Sequence, residues 1–368
     1  MTTIPVDLGD RSYDIRIESG RLDALGAVAA PHAPSGSVLL AVDVAVEKTH
    51  GARVAAALRD AGLRIVPHGL VADEARKSLA VVRDLYDTML MGRLERGSAV
   101  VAVGGGIVGD IAGFAAATFL RGIACVQVPT TLLAMVDASI GGKTGVNLEL
   151  DDGRLGKNLV GAFWQPAAVV VDPDVLGTLD ARQFRCGLAE SIKHAMLADR
   201  DLLSYIDEHL EAILALDGAI LEPLIARSAG IKVAVVTADE REAGRRARLN
   251  LGHTFAHAIE SRHDLGWHHG EAVAIGLCAA SFVAAETGRL PRRDLDLVEA
   301  IIRRTGLPHR LTSPVSSDDL VAAMGFDKKV VGGRMRLVVP DGLGAATIID
   351  DVEPDLVVAA WRHVGADA

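Results

Sequence analysis

His253 and His257 stand four residues apart in the run GHTFAHAIE. That spacing puts both on one face of a helix, where such a pair can ligate zinc. Two more polar clusters interrupt apolar helical text: Glu190 with Lys193 in GLAESIKH, and His268-His269-Gly270-Glu271 at the start of another helical run. One glutamate and two histidines with an open fourth position make a workable catalytic zinc site. Spacing alone leaves open which two histidines ligate. A separate signal, Gly104-Gly105-Gly106-Ile107-Val108-Gly109, fits GxGxxG directly after an apolar strand and before a helix. Glycines there allow close backbone approach to a pyrophosphate at the helix N-terminus. The usual dinucleotide fingerprint also wants an acid after the next strand, and Pro129-Thr130-Thr131 stands there instead, so a variant binding mode is expected.

Cations recur in apolar or glycine-rich settings: Arg121, Lys143, Lys157, Lys193, Lys232, Arg246 and the pair Lys328-Lys329. Their convergence would make an anion pocket for phosphate or carboxylate. The densest stretch, residues 100–166, sets Asp110, Arg121, Asp137, Lys143 and Lys157 beside apolar runs. Charges in such surroundings are costly unless paired or working.

The whole chain is acidic, with a net charge of −10 over 368 residues, which argues against nucleic acid as a main partner. Half of it is apolar and about a quarter charged, a globular balance. No apolar run approaches the roughly 20 residues a membrane span needs, and the N-terminus has no secretory pattern. Cys125, Cys186 and Cys278 are widely spaced and read as buried thiols in a reducing cytoplasm.

The elements that must position these residues read as two sets. A hairpin over Ile4–Leu8 and Tyr13–Ile17 opens the chain. Apolar strands follow at Val38–Val42, Leu63–Val66, Ala99–Val103, Ile123–Val128 and Ala167–Val171, alternating with helices at Asp73–Leu94 and from Ile107. Continuously apolar strands alternating with helices imply a parallel sheet covered on both faces. Past Leu179 helical patterns dominate: 186–198, 202–216, 220–236, 250–263, 270–286, 295–305 and 354–363, with a short strand at 335–339. The expectation is an α/β domain over 1–179, a Rossmann-like variant, and a mostly helical domain over 180–368. Their crevice, beyond the strand ends, is the expected site.

Six segments in order carry a resemblance: GGGIVGDIAGFAAAT, QVPTTLLAMVDASIGGKTGVN, GKNLVGAFWQP, GLAESIKH, LNLGHTFAHAIE and HGEAVAIG. From about Asp43 to Lys329 the chain resembles the 3-dehydroquinate synthase family of the sugar-phosphate cyclases. The resemblance implies a homodimer with an NAD-binding first domain and a helical domain carrying zinc, or cobalt in its place. It implies Glu190, His253 and His269 as metal ligands and moves His257 to the substrate side. It implies NAD contacts at Asp43, Glu74, Lys77, Gly105, Gly106, Asp110, Thr130, Thr131 and Thr178, with Lys143 and Lys157 between cofactor and substrate. Substrate contacts would be Asp137, Asn158, Lys193, Lys232, Glu242, Arg246, Asn250, His257 and one of Lys328 and Lys329. Arg121 would cross to the partner subunit's site.

The implied reaction converts 3-deoxy-arabino-heptulosonate 7-phosphate to 3-dehydroquinate and phosphate. The residue types suit it. Lys143, Asn250 and His257 fit a departing phosphate; Lys232, Arg246 and the late lysine fit a carboxylate. Two departures stand out. Residues 147–155, NLELDDGRL, run about five longer than the family's usual turn and read as a solvated loop extension. The nucleotide segment reads VADEARK, with the Glu74–Lys77 spacing kept. Retention of Lys232, Arg246, Asn250, His257 and Asp327–Lys329 favours an acid-bearing substrate over those of valiolone- or inosose-forming relatives. An aminodehydroquinate synthase would need the same contacts. A metal-dependent polyol dehydrogenase would show net NAD reduction. A non-catalytic regulator would have lost some of Glu190, Lys143, Asn250 or His269, and all are present.

Overall fold

A computed structural model describes residues 1–150, 155–242, 244–262, 265–324, 335–350 and 352–367. Two compact units result: Met1–Asp180 with Leu221–Thr237, and Ala181–Ile220 with Ala238–Ala368.

The first unit is built on a seven-stranded sheet. Its strands are β1 (Thr2–Val6), β2 (Tyr13–Ile17), β3 (Ser37–Asp43), β4 (Arg64–Leu70), β5 (Ala99–Gly104), β6 (Ala124–Pro129) and β9 (Ala168–Val171), in the order β1-β2-β9-β6-β5-β3-β4. Only β1–β2 is antiparallel; every other pairing is parallel. The central strands β3, β5, β6 and β9 are buried because their runs are apolar at nearly every position, as in AVVAVG of β5. Helices α1 (Leu25–Ala29), α2 (Ala52–Asp60), α3 (Leu79–Met91) and α4 (Gly106–Thr118) follow in alternation. One core cluster joins Leu39, Val100, Val82, Leu85, Ile111 and Phe114 among others. The strand order reverses between β3 and β5, so the carboxyl ends at Asp43 and Gly104 flank a topological switch point. Ligands of open parallel sheets bind at such points.

Several expected boundaries move. The helix expected over 73–94 starts at Leu79, because Asp73 caps a separate 3-10 turn, Glu74–Arg76, and Ser78 is extended. The 147–155 stretch, expected as a loop extension, lies in a hairpin of β7 (Lys143–Glu149) and β8 (Leu155–Phe163); residues 151–154 fall outside the described ones.

The second unit is helical: α5 (Ala181–Ala198), α6 (Arg200–Glu208), α7 (Leu210–Leu214), α9 (His253–Glu260), α10 (His269–Glu286), α11 (Arg292–Arg304), α12 (Ser317–Met324) and α13 (Pro354–His363). Helix α8 (Gly218–Ala238) lends its middle to the first unit. The helix expected over 202–216 breaks at His209 into α6 and α7. The one expected over 250–263 becomes a 3-10 turn, Arg245–Asn250, and then α9, divided by Gly252 in the left-handed conformation. The expected 335–339 strand is β10 (Arg336–Pro340), and β11 (Ala346–Asp350) pairs with it antiparallel. Helix α10 is apolar all round and buried along nearly its whole length, with α5, α9, α11 and α13 packed on it. Among the described residues no helix is long and apolar enough to cross a membrane.

Candidate active site

In the first unit the glycine turn after β5 leads straight into α4. No side chain caps that helix, so its first N–H groups stay open to an anion. A Cβ at Gly105 would stand 3.1 Å from the Thr131 methyl, and one at Gly106 3.1 Å from Ala138, so bulk is excluded from this cradle. Thr130 N–H donates to Gly104 O at 2.9 Å, and Thr131 Oγ1 accepts from Ala134 N–H at 3.2 Å. Asp43 ends β3, across the switch point. The turn, open helix and flanking acid fit a dinucleotide.

One turn into α4, Asp110 meets Lys77. The buried Lys77 Nζ donates to Asp110 Oδ2 at 2.6 Å and to Asn158 Oδ1 at 2.5 Å. Burial pushes the Asp110 carboxyl up to about 6, and the Lys77 charge only partly opposes it. Asn158 itself sits at φ 54, left-handed backbone that asparagine tolerates better than most side chains. Glu74 Oε1 accepts from Asn147 Nδ2 at 2.7 Å. Glu74, Lys77, Asp110 and Asn158 therefore form one connected cluster.

Asp137 lies in a single π-turn, Ala134–Ala138, and accepts from Lys232 Nζ at 2.6 Å. Lys143 and Lys157 stand exposed on β7 and β8. Thr178 bonds His50 Nε2 at 2.7 Å. Arg121 is exposed on a turn where Leu120 has φ 50 and Arg121 φ 71, costly backbone for side-chain-bearing residues.

In the second unit the metal candidates come together. The donor atoms of Glu190, His253 and His269 lie within 4.8 Å of one another. Glycines set this convergence. A Cβ at Gly270 would fall 2.3 Å from Cys186 Cα, so α10 approaches α5 one turn before Glu190. A Cβ at Gly276 would fall 2.2 Å from Gly252 O, which lets α9 start against α10 and bring His253 in. Glu190 Oε1 stands 3.7 Å from His253 Nε2 and 3.6 Å from His269 Nε2. Ligands about 2.0–2.2 Å from a tetrahedral ion stand roughly 3.4 Å apart, so these spacings suit a shared zinc-sized ion better than hydrogen bonds.

The protonation states agree. His253 donates Nδ1–H to Leu251 O at 3.1 Å, which leaves Nε2 as the free lone pair. Burial, with the charge of Lys193, drives its pKa well below the usual histidine value. At His269 burial pulls the pKa down, but the carboxylates of Glu190 and Glu260 win and hold it at about 10. A metal would displace that proton. Lys193, buried one helical turn along α5, pairs with Glu190. His257 lies edge-on to His253 with ring centroids 5.6 Å apart.

His268 and Glu271 are spent otherwise. They form the capping box of α10, and Glu271 takes a two-pronged ion pair from Arg182 at 2.6 and 2.7 Å. Arg246 is fully buried and donates to Glu240 O at 2.6 Å. Asn250 closes the 3-10 turn, while Glu242 is exposed at φ 59. Lys328 and Lys329 lie outside the described residues.

Three residues had no assigned role in the sequence. Glu260 Oε2 lies 3.4 Å from His269 Nδ1 and orients that ring. Asn147 and His50 brace Glu74 and Thr178. Glu260 and Asn147 sit inside motifs already singled out, GHTFAHAIE and KTGVN; nothing local marks His50.

Comparison with known proteins places this geometry in a class first. The chain is similar to a 2-epi-5-epi-valiolone synthase from Streptomyces hygroscopicus subsp. jinggangensis 5008, solved with NAD+ and Zn2+ bound, at 30% identity, TM-score 0.85 and 96% coverage of both chains. It is also similar to a 2-deoxy-scyllo-inosose synthase complexed with carbaglucose-6-phosphate, NAD+ and Co2+, at 25% identity, TM-score 0.89 and coverage of 99% and 100%. The likeness is to cyclases of sugar phosphates. Within them, a 3-dehydroquinate synthase from Microcystis aeruginosa is 45% identical over 363 residues, 96% of each chain. The 3-dehydroquinate synthase N-terminal model matches residues 68–186 and the C-terminal model residues 187–330. The chain belongs to the 3-dehydroquinate synthase family.

Proposed function

We propose that the protein converts 3-deoxy-arabino-heptulosonate 7-phosphate to 3-dehydroquinate and phosphate, as an NAD- and metal-dependent carbon–oxygen lyase of the shikimate pathway. One observation carries the choice of an anionic substrate. In a chain of net charge −10, Lys193, Lys232 and Arg246 are 2%, 6% and 0% exposed. Lys193 and Lys232 share their charge with Glu190 and Asp137, and a neutral polyol would give none of the three cations a further partner.

The first unit would hold the nucleotide, through Asp43, Glu74, Lys77, Asp110, Thr130, Thr131, Thr178 and the open start of α4. The second would hold zinc, or cobalt, through Glu190, His253 and His269. When bound, NAD supplies a temporary hydride acceptor and the metal a Lewis acid. The chain's own residues bind and orient. Lys143, Asn250 and His257 would take the phosphate, and Lys232, Arg246 and one of Lys328 and Lys329 the carboxylate. Asp137 holds the Lys232 ammonium in place at 2.6 Å. Oxidation of a substrate hydroxyl to a carbonyl would acidify the adjacent C–H, and the departing phosphate would take that proton. The carbonyl would then be reduced again, and ring opening and an intramolecular aldol step would close the carbocycle. Electrons balance, and no NADH is left over.

We place the enzyme in the cytoplasm, supported by three buried free thiols. We also propose a homodimer whose exposed Arg121 reaches the partner's substrate.

The test is a product assay on zinc-loaded protein with heptulosonate phosphate and NAD. Equal amounts of phosphate and dehydroquinate, with no NADH accumulating, are expected. Net NADH would replace this reading with a dehydrogenase. Turnover of only the amino analogue would make it an aminodehydroquinate synthase.

A further inference from the structure

Asn147 is buried in the middle of the nucleotide-side cluster, yet neither the reaction nor the cofactor requires it to touch a ligand. Its four hydrogen bonds run to two different places. Its Nδ2 donates to Glu74 Oε1 at 2.7 Å and to Glu74 O at 3.1 Å. Its main-chain N–H donates to Lys77 O at 2.8 Å. Its Oδ1 accepts the main-chain N–H of Asn158 at 2.8 Å. One side of the residue thus fixes the Glu74–Lys77 turn, and the other fixes Asn158 in its left-handed conformation.

Asn158 is gripped twice, since Lys77 Nζ also holds its side-chain oxygen. A β-strand residue at φ 54 leaves the regular ladder: the β7–β8 register slips between Val146 and Leu148, beside Asn147. The amide of Asn158 is held by a side chain in place of a strand partner. Whatever fixes Glu74 and Lys77 therefore bears on the backbone and side chain of Asn158 through bonds no longer than 3.1 Å.

We propose that Asn147 is a positioning residue that couples the nucleotide turn to Asn158, so that NAD and substrate each strengthen the other's binding. This rests on the reading of Glu74 and Lys77 as NAD contacts and of Asn158 as a substrate contact. Linkage makes the effect reciprocal: the factor by which NAD tightens substrate equals the factor by which substrate tightens NAD.

The test uses the full-length, zinc-loaded protein. Hydrogen exchange is followed at the Asn158 amide, and NAD affinity by calorimetry, with and without a non-reactive carbocyclic analogue of the substrate. In the parent, NAD slows exchange at Asn158, and the analogue tightens NAD. Asn147→Ala loses both bridges: exchange at Asn158 becomes fast, NAD binds about tenfold more weakly, and the analogue no longer tightens it. Asn147→Asp separates the two sides. Its carboxylate still accepts from Asn158 but faces the Glu74 carboxylate, so protection at Asn158 survives while NAD affinity falls. If Asn147→Ala does not fold, Asn147→Asp decides alone. NAD that binds the parent without slowing exchange at Asn158 overturns the proposal. So does an Asn147→Ala protein with both affinities and their coupling within twofold of the parent. A parent that makes no dehydroquinate yet shows NAD-dependent protection would remove the proposed reaction and leave the coupling standing.

Discussion

The polar clusters of the two units solve opposite problems. In the first unit, Glu74, Lys77, Asp110, Asn147 and Asn158 bond one another through Lys77 Nζ, Asn147 Nδ2 and the Asn158 main-chain N–H, over 2.5–3.1 Å. The cluster is held by turns and a hairpin. In the second unit, Glu190, His253 and His269 stand on three helices at 3.6–3.7 Å, too far for hydrogen bonds and fitting for shared ligation. A proton on His269 and the ammonium of Lys193 balance the carboxylate there. The first cluster holds together without a ligand. The second needs a cation. Polar residues buried in turns can satisfy one another, whereas ligands on rigid helices are kept apart by the packing that positions them.

That contrast breaks most visibly at Glu190. Glu190→Ala removes the carboxylate that both histidines face, and leaves Lys193 buried without it. Metal content by elemental analysis is expected to fall to background, and turnover by more than the roughly 100-fold that loss of an orienting partner costs. Glu260→Gln is that milder case: His269 keeps its place as ligand but loses its orienting charge, so metal affinity falls about 10–100-fold. Full metal occupancy in Glu190→Ala would remove the assignment. Equal losses in both variants would mean that Glu260 is itself a ligand.

The same contrast explains what could be read in advance. The parallel sheet was legible because β3, β5, β6 and β9 are apolar at nearly every position. The helical second unit was legible from its spacing, and Glu190, His253 and His269 from charge in apolar helical text. The β7–β8 hairpin was not. Its glycines read as loop punctuation, yet Gly145 and Gly161 face one another across the ladder, and β8 is too exposed to alternate cleanly. Helix lengths misled at 209 and 252, where a break depends on one residue's backbone angle. Of the partners that orient site residues, Glu260 and Asn147 sit inside motifs that do not show what they orient, and His50 carries no local pattern.

A pH series sharpens the comparison on the hydrogen-bonded side. Asp110 is raised from 3.8 to about 6, so the folded state holds its proton more tightly than the unfolded chain. Its contribution to stability is greatest below about 3.8 and is lost as pH climbs through about 6. Asp110→Asn cannot ionise. The variant's stability relative to the parent should therefore rise between pH 4 and pH 6, on top of a constant offset from depriving Lys77 of its carboxylate. Denaturant unfolding of both proteins, without NAD, measures the difference. A difference that is flat or falls over that window would mean that Lys77 keeps Asp110 ionised throughout.

The smallest effect is expected at His50, where one hydrogen bond reaches Thr178, a proposed nucleotide contact. Thr178 donates its hydroxyl to Val175 O at 3.0 Å, so its oxygen must accept from His50 Nε2–H at 2.7 Å. Burial, aided by the Arg53 charge, lowers the His50 pKa and keeps the ring neutral, with its single proton on Nε2. Removing that donor leaves the Thr178 hydroxyl held by Val175 O alone. His50→Ala should weaken NAD binding about two- to tenfold, the value of one hydrogen bond, and leave turnover at saturating NAD unchanged. His50→Gln, whose amide N–H reaches the same oxygen, should recover most of the loss. Equal falls in turnover and affinity, or no rescue by glutamine, would show that His50 acts through the packing of its helix and not through Thr178.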